Sequence, residues 1–351
     1  MIKKCKVFMI LLLLIISLSG CNIDKKHDLD KAADKSKSLD NSSEINPEGT
    51  VPDSILEDEA ELISEDYSDE YSLEIIPESQ HHIGEPAGIC IYNDTLVVCD
   101  KKNNSLVLLD KACNFIQTIG ALGMGPLEFT KPTGITVYND KLYVLDSGNR
   151  RIQILDSDYN YVDEIALDRL VHEEIWSEYI DLAVDTNGII YVSTIATLPN
   201  DAHIFRIEDK MSEKLEQQFI GHLFSYNGTV YAANSMEIRR EGNSQSAGNG
   251  KNSLYRIDDK ELIKIRDLPY EYKPLGICFY DNKIYTVSGF WHCLDIFSME
   301  GELEQPVIKF PDYIWDLYLT VYDDSLIYCT TVALPGKESV PSIYKITKAK
   351  D

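Results

Sequence analysis

Basic residues are scarce in this sequence. Its 351 residues include 33 Lys and Arg against 58 Asp and Glu, which gives a formal net charge of -25 at pH 7. A surface that binds nucleic acid needs clustered Lys and Arg to neutralise the phosphates. The composition therefore argues against nucleic acid as a partner.

The sequence motifs of several enzyme classes are also missing. There is no Gly-x-Ser-x-Gly nucleophile elbow and no glycine-rich phosphate loop. The sequence therefore does not indicate a hydrolase with a nucleophile elbow or an enzyme that binds nucleotides through a glycine-rich loop.

Long apolar runs are confined to the N-terminus. A basic start, "MIKKCK", precedes the twelve-residue apolar run "VFMILLLLIISL", and "LSGC" follows. This pattern predicts a secretory signal peptide over residues 1–20, since the run is short for a membrane span. "LSGC" resembles the lipobox of bacterial lipoproteins, which implies lipid attachment at Cys21. A plain signal peptide, or an anchor with an incidental cysteine, is the alternative.

Residues 21–70 have few apolar side chains and no helical or strand period. Their charge drifts from mixed to acidic, as in "EDEAELISEDYSDE". This composition predicts a disordered acidic tether that would separate a folded part from a membrane.

The remaining chain repeats six times. The copies start 41 to 54 residues apart, at Gly88, Gly134, Asp181, His222, Gly276 and Tyr318. Most copies have an apolar strand, a turn pair such as Asn139-Asp140, and a second apolar strand. Two further strands complete most units. Four strands per unit predict an all-β, six-bladed β-propeller over residues 71–351.

The two ends of the chain bear on how such a ring closes. The last copy lacks a fourth strand, and an unassigned strand-like run, "YSLEIIPE", precedes the first copy. We expect this N-terminal strand to complete the last blade, because pairing the two removes both exposed edges.

One repeat carries a family resemblance. "PTGITVYNDKLYVLDSGNRRIQILD" is similar to the NHL repeat of six-bladed propellers, and the copies from Gly88 and Gly276 are weaker matches. The resemblance implies the same propeller fold. We interpret the polar cluster "DSGNR" as a structural corner, with Gly148 at positive φ, Asn149 in the left-handed region, and an arginine paired to a carboxylate of a neighbouring blade.

Candidate binding residues lie where the repeats differ. In a propeller, the connections from strand 2 to strand 3 and from strand 4 to the next blade share one face, which we call the loop-rich face. Aromatic side chains concentrate there, and they suit a binding surface. The predicted ligand-binding residues are Trp176, Tyr270, Tyr272, Phe290, Trp291, His292 and Trp315. The predicted channel-lining residues are Asp181, His222 and Asp316.

The leading hypothesis is a lipid-anchored extracytoplasmic binding module of a bacterial membrane, with an envelope protein, peptide or glycan as its partner. A second hypothesis is a structural or accessory subunit of a neighbouring envelope system. The enzymatic alternative is a metal-dependent lactonase or hydrolase, because propellers of the gluconolactonase type resemble this chain. Its candidate ligands would be Glu85, Asp181, His222, His292 and Asp316. We expect no cofactor, with Ca²⁺ as the ion that the alternative would use.

The cysteines do not predict a disulfide framework. Cys90 and Cys278 share one position of the repeat, and Cys99 and Cys329 share another. Repeated positions of this kind are typical of small core side chains, so we expect free thiols.

Overall fold

The structure is a computed structural model. It describes residues 67–167, 177–196, 202–241, 244–248, 251–269, 272–311, 314, 317–323, 325–331 and 342–349. Within these residues, no helix has the length and apolar character needed to cross a membrane.

Six four-stranded antiparallel sheets form the blades, which confirms the predicted propeller. Blade 1 contains β2 (Pro86–Tyr92), β3 (Thr95–Asp100), β4 (Ser105–Leu109) and β5 (Phe115–Ile119). The short strands β6 (Ala121–Leu122) and β7 (Glu128–Phe129) lie between blades 1 and 2. Blade 2 contains β8 (Pro132–Tyr138), β9 (Lys141–Asp146), β10 (Arg151–Leu155) and β11 (Tyr161–Ala166). Blade 3 contains β12 (Ser177–Val184), β13 (Ile190–Ala196), β14 (His203–Glu208) and β15 (Met211–Gln218).

Blade 4 contains β16 (Gly221–Tyr226), β17 (Thr229–Asn234), β20 (Ser253–Asp258) and β21 (Glu261–Asp267), with an inserted hairpin of β18 (Glu237–Glu241) and β19 (Ser244–Gly248). Blade 5 contains β22 (Pro274–Tyr280), β23 (Lys283–Ser288), β24 (Cys293–Ser298) and β25 (Leu303–Lys309). Blade 6 contains β26 (Leu317–Asp323), β27 (Leu326–Thr331), β28 (Ser342–Lys348) and the N-terminal strand β1 (Tyr71–Ile76). A helical turn over Glu78–His81 follows β1.

The strand 1 to strand 2 turns have the backbone that their residues predict. Asn93 and Asp94 have φ of 50° and 60°, and Asn139 and Asp140 have φ of 49° and 54°. Two successive residues with positive φ are typical of two-residue hairpins of the type I′ kind, where Asn, Asp and Gly are favoured. These turns form the face opposite the loop-rich face, which we call the hairpin face.

The ring closes through β1, as the sequence predicts. β1 pairs antiparallel with β28 over its whole length, from Tyr71 opposite Lys348 to Ile76 opposite Ile343. The innermost strands of successive blades contact one another around the ring, including β26 with β2. The apolar core lies between the blades, so each blade buries its faces against both neighbours.

The "DSGNR" cluster is a corner, but its details differ from the prediction. Asp146 is fully buried, and one of its carboxylate oxygens accepts the N–H of Thr130 at 2.7 Å. Its other oxygen accepts Nε of Arg151 at 2.9 Å. The positive φ, 52°, belongs to Arg150 rather than to Gly148 or Asn149. Gly148 is instead needed for close approach, because a Cβ there would lie 2.6 Å from the carbonyl oxygen of Thr130.

Arg151 does not form the predicted pair with a neighbouring blade. Arg151 pairs with Asp146 and with Glu164, and both carboxylates belong to its own blade 2. Arg151 begins β10 beside the end of β9 and opposite the end of β11, so the carboxylates within reach are those of the adjacent strands.

The six cysteines among the described residues are free thiols, as expected. Burial raises the pKa of Cys278 and of Cys113 to about 12. Thiols of this kind stay protonated at neutral pH and are poor nucleophiles.

Candidate functional site

The first residue of each sequence repeat occupies an equivalent position on the innermost strand, where the six blades meet. Around the ring these positions hold Gly88, Gly134, Asp181, His222, Gly276 and Tyr318. Blades 1, 2 and 5 thus place no side chain here, whereas blades 3, 4 and 6 place polar ones. We call these three polar residues the channel triad.

The glycines allow neighbouring blades to approach closely. A Cβ on Gly88 would lie 2.3 Å from the carbonyl oxygen of Thr133 in blade 2. A Cβ on Gly276 would lie 2.8 Å from the carbonyl oxygen of Leu317 in blade 6. Both distances are below van der Waals contact, so a larger residue at either position would push two blades apart.

The channel triad is a connected cluster. Nδ1 of His222 lies 3.3 Å from Oδ2 of Asp181, and the same oxygen accepts the N–H of Leu223 at 3.3 Å. The other oxygen of Asp181 accepts the N–H of Leu182 at 2.9 Å. Because a carboxylate accepts hydrogen bonds, Nδ1 of His222 is the donor of this pair.

Tyr318 joins the triad from blade 6. Its ring meets the ring of His222 edge to face, with centroids 4.9 Å apart. Its hydroxyl donates to the carbonyl of Ile180 at 3.0 Å, and Ile180 belongs to blade 3 on the opposite side of the ring. Tyr318 therefore spans the channel and holds the triad in one arrangement.

A cavity of about 260 Å³ adjoins the triad. It extends from the triad toward the hairpin face, as far as Ile91, Val137 and Val321. Its walls combine aliphatic side chains with small polar ones, Cys90, Thr136, Ser225 and Thr320, and about as much polar as apolar surface faces the cavity. A cavity in which a few polar groups converge at one end is typical of small-molecule sites.

Asp181 and His222, predicted to line the channel, lie in the wall of this cavity and touch each other. Trp176, Tyr270, Trp315 and Asp316 lie outside the described residues.

The aromatic residues of blade 5 are divided between surface and core. Phe290 is 44% exposed and packs edge to face on Trp291, with centroids 5.0 Å apart. Trp291 is half-buried against the core of blade 5, and its Nε1 is buried without a hydrogen-bond partner among the described residues. His292 has φ of 55°, and burial, with Lys309 and Lys273 nearby, lowers its pKa.

Tyr272 requires a correction, because it is 1% exposed rather than open to a ligand. Its hydroxyl donates to Oδ2 of Asp295 at 2.6 Å, inside blade 5. The connection that carries Tyr272 turns inward, so its ring packs edge to face on Phe297. Tyr272 is a core residue.

The metal-dependent alternative receives no specific support from the described residues. No three His, Cys, Asp or Glu side chains lie close enough together there to hold a metal ion. Of the candidate ligands, Asp181 and His222 meet, whereas Glu85 pairs with Lys101 at 3.4 Å.

Sequence reasoning missed Tyr318 as a site residue. The available signal was its position, since it opens a repeat where three other copies have glycine.

Comparisons with known proteins agree on the fold. A family model described as "6-bladed beta-propeller" matches residues 66–284, which is more than half of the chain. No curated protein sequence matches the chain. Among solved structures, a luciferin-regenerating enzyme is similar at 15% identity and a TM-score of 0.55, over 80% of this chain and 97% of that one.

Two further solved structures are similar at comparable levels. Virginiamycin B lyase from Staphylococcus aureus has 13% identity and a TM-score of 0.51, over 79% of this chain and 99% of its own. Regucalcin, a calcium-binding protein from Agrobacterium tumefaciens, has 10% identity and a TM-score of 0.54, over 80% of this chain and 96% of its own. At these identities the similarity concerns the fold alone, because one propeller fold hosts many functions.

Proposed function

We propose that this chain, which belongs to a family of 6-bladed beta-propellers, is a lipid-anchored, extracytoplasmic binding protein of a bacterial membrane. Its ligand is a small hydroxylated molecule, such as a terminal sugar of a glycan, held in the central cavity. The fold leaves the function open, so the proposal rests on the site.

The channel triad carries the proposal. Asp181, His222 and Tyr318 are 7%, 5% and 8% exposed, so each is largely withdrawn from water. Their polar groups are paired with one another and with backbone atoms, so burial leaves them satisfied and holds them in fixed positions at the cavity. Three fixed polar groups at one end of a cavity with both aliphatic and small polar walls suit a small ligand that carries hydroxyl groups.

The size and charge of the site narrow the ligand class. A volume of about 260 Å³ lies below the range of roughly 300–1,000 Å³ that is usual for drug-sized ligands. The carboxylate of Asp181 and the net charge of -25 disfavour an anionic ligand. A neutral molecule of monosaccharide size fits both limits.

The test is titration calorimetry with a panel of monosaccharides and their methyl glycosides. We expect one class to bind the wild type, and His222→Gln and Tyr318→Phe to weaken that binding about tenfold or more. The first substitution alters a polar group of the cavity wall, and the second removes the hydrogen bond that holds Tyr318 across the ring. Tyr322→Phe is the matched control, since Tyr322 lies on the same strand and its hydroxyl bonds to Asp94. Absence of binding across the panel, or equal binding by all variants, would refute the cavity as the ligand site.

The anchor is tested separately. "LSGC" supports lipid attachment at Cys21, so Cys21→Ala should move the full-length protein from the detergent fraction of cells to the aqueous fraction. Cys5→Ala is the control, because Cys5 lies within the predicted signal peptide and should leave the fractionation unchanged. Membrane association that survives Cys21→Ala would contradict the lipoprotein proposal and leave the cavity proposal intact.

A further inference from the structure

We infer that a cavity between blades 3 and 4 is a second binding site, and that it takes a short peptide held mainly by its main-chain groups. The cavity has a volume of about 570 Å³ and lies between β15 of blade 3 and strands β20 and β21 of blade 4. We call it the blade 3–4 cleft. Its volume falls in the range of roughly 300–1,000 Å³ that is usual for ligand sites. The inference does not depend on the ligand proposed for the central cavity, because the two cavities share none of their described lining residues.

The connection between blades 3 and 4 is short. β15 ends at Gln218 and β16 begins at Gly221, so only Phe219 and Ile220 join the two blades. Phe219 is 2% exposed, packs in the core shared by these blades, and meets Tyr255 edge to face, so it forms the floor of the cleft. The connection between blades 1 and 2 is much longer, since it comprises residues 120–131.

In blade 2 this longer connection is bound through its main chain. Three side chains, Asn149, Arg151 and Gln153, donate hydrogen bonds to carbonyl oxygens within residues 123–128, at 2.7 to 2.8 Å. Gln153 also accepts the N–H of Leu127 at 3.0 Å. This part of blade 2 is therefore a receptor for a peptide main chain, and the chain itself supplies the peptide.

Strand pairing shows which residues of blade 4 correspond to this receptor. Leu254 pairs with the penultimate residue of strand 2 in blade 4, as the residue between Arg151 and Gln153 does in blade 2. Ser253 and Tyr255 therefore correspond to Arg151 and Gln153, and both line the blade 3–4 cleft. The two-residue connection is too short to lie over them. A peptide from another molecule can thus take the place that the chain itself takes in blade 2.

Polar groups in fixed positions form the blade 4 wall of the cleft. Oδ1 of Asp267 accepts the hydroxyl of Ser253 at 2.6 Å and Nζ of Lys264 at 2.9 Å. These two hydrogen bonds lower the pKa of Asp267, so its carboxylate is charged at neutral pH. A carboxylate beside an ammonium offers an acceptor to a peptide N–H and a donor to a peptide carbonyl.

A shift of register in β21 places these groups together. Ser253 and Tyr255 are two residues apart and share a face of β20, and they pair with Asp267 and Lys264. Asp267 and Lys264 are three residues apart, so one extra residue of β21 is needed to bring both to the same face. The sheet is thus built to turn both charged side chains toward the cleft.

The blade 3 wall presents three successive polar residues, Glu216, Gln217 and Gln218. Side chains of a regular strand alternate between its two faces, so three in succession require an irregular strand. β15 is irregular at this point, because Ile204 of β14 lies opposite three residues of β15. Irregularities of this kind re-aim side chains and are common beside binding sites. Amide groups both donate and accept, as a peptide main chain does.

The charges of the cleft also suit a peptide. Its charged lining residues are Glu216, Lys251, Lys264 and Asp267, two of each sign. A peptide main chain alternates donors and acceptors, so it meets both kinds of group, whereas an ion of one sign would meet two like charges. Saccharide hydroxyls also donate and accept. The comparison with blade 2 favours the peptide, because the corresponding positions bind main-chain groups there.

Titration calorimetry with the purified full-length protein tests the inference. The probes are tripeptides with an acetylated N-terminus and an amidated C-terminus, with alanine at the ends and alanine, serine, leucine, tyrosine, lysine or aspartate in the middle. Blocked ends leave the main chain as the common feature of the panel. We expect binding by members of the panel that is governed by residues of the cleft.

Variants of exposed residues locate this binding. Lys264→Ala should weaken it about tenfold or more, because a charged donor is lost, and Gln217→Ala should weaken it several-fold. Lys260→Ala is the matched control, since Lys260 belongs to the same blade, pairs with Glu213 and is not a lining residue of the cleft. It should bind as the wild type does. The three side chains are exposed, so we expect similar melting temperatures for all the variants.

Three results would overturn the inference. The first is the absence of binding by every tripeptide, and the second is equal binding by the wild type and Lys264→Ala. The third is binding that is lost in His222→Gln but kept in Lys264→Ala, which would place the peptide in the central cavity. The monosaccharide panel supplies the other arm, because a sugar whose binding depends on Lys264 and Gln217 would make the cleft a saccharide site instead.

Discussion

Among individual residues, Asp295 is unusual because it is a buried acid that forms no ion pair within the part of the chain that the structure describes. Asp295 is 3% exposed in β24, and burial raises its pKa to about 6, although hydrogen bonds from Tyr272 and Cys293 act against that rise. Both donors reach the same oxygen, at 2.6 Å and 3.2 Å. The other oxygen is buried without a hydrogen-bond partner among the described residues. Blade 5 thus favours the neutral form of this carboxyl.

This predicts a pH-dependent stability. The folded-state pKa of Asp295, about 6, lies above its ordinary value of 3.8. The stabilising contribution of this carboxyl to the free energy of unfolding is therefore fully present below pH 3.8 and is lost as the pH rises through about 6. Relative to Asp295→Asn, the wild type should lose about 2 kcal/mol of unfolding free energy between pH 4 and pH 7. Urea denaturation at several pH values measures this.

The design separates this effect from other consequences of the substitution. Asn at position 295 shifts the free energy of unfolding by an amount that does not depend on pH. The test is therefore whether the difference in unfolding free energy between the wild type and Asp295→Asn changes with pH. Asp158→Asn, at an exposed turn, should show a much smaller change. A constant difference between wild type and Asp295→Asn would show that the carboxyl is not neutralised in the folded state.

At the scale of elements, β1 decides whether the ring is closed. Its six residues pair with β28 and supply the fourth strand of blade 6. Adjacent positions of this strand differ sharply: Ile76 is 2% exposed and belongs to the core shared with blade 1, whereas Ile75 is 47% exposed. Side chains alternate between the faces of a strand, so the two isoleucines form a matched pair.

Ile76→Ala should destabilise the protein by about 3 kcal/mol, because it leaves a cavity in a close-packed core. Ile75→Ala, the same substitution one residue away, should cost less than about 0.5 kcal/mol. Equilibrium urea denaturation compares the two. Equal losses would show that β1 is not docked in the register described.

At the scale of the whole molecule, tyrosines tie successive blades together. Tyr92 donates to the carbonyl of Asp140 in blade 2 at 2.8 Å, and Tyr138 donates to the carbonyl of Thr186 in blade 3 at 3.1 Å. The hydroxyl of Tyr322 in blade 6 lies 2.6 Å from a carboxylate oxygen of blade 1. The end of strand 1 in one blade is thereby linked to the hairpin turn of the next.

Replacing Tyr92, Tyr138 and Tyr322 by Phe should cost about 1 kcal/mol each, the usual net value of a hydrogen bond. The losses should add, because the hydroxyls belong to different blades and share no partner. Tyr143→Phe is the control, since its hydroxyl forms no hydrogen bond with the residues described, and it should change stability little. Thermal or urea denaturation of the single and triple variants provides the measurement, and three near-zero effects would contradict the role of these contacts.

The architecture could be predicted from the sequence, because the signals involved are local. Alternating apolar residues, Asn-Asp turn pairs and a repeat of 41 to 54 residues specify hairpins and blades without knowledge of the neighbours. The unpaired strand before the first repeat and the missing strand after the last one predicted the pairing of β1 with β28. The position of Asp181 and His222 at the cavity followed from the same period.

Which side chains meet and which are buried could not be predicted in this way, because both depend on how the blades pack. Tyr318 reaches Ile180 across the ring, a contact between residues 138 positions apart, and no local pattern encodes it. Tyr272 is buried because its loop turns onto Asp295, whereas a loop position by itself indicates exposure. Arg151 pairs with two carboxylates of its own blade, because the pairing of β10 with β9 and β11 brings Asp146 and Glu164 within reach. Contacts of this kind depend on how strands curve and pack, so they are fixed only when the whole ring has formed.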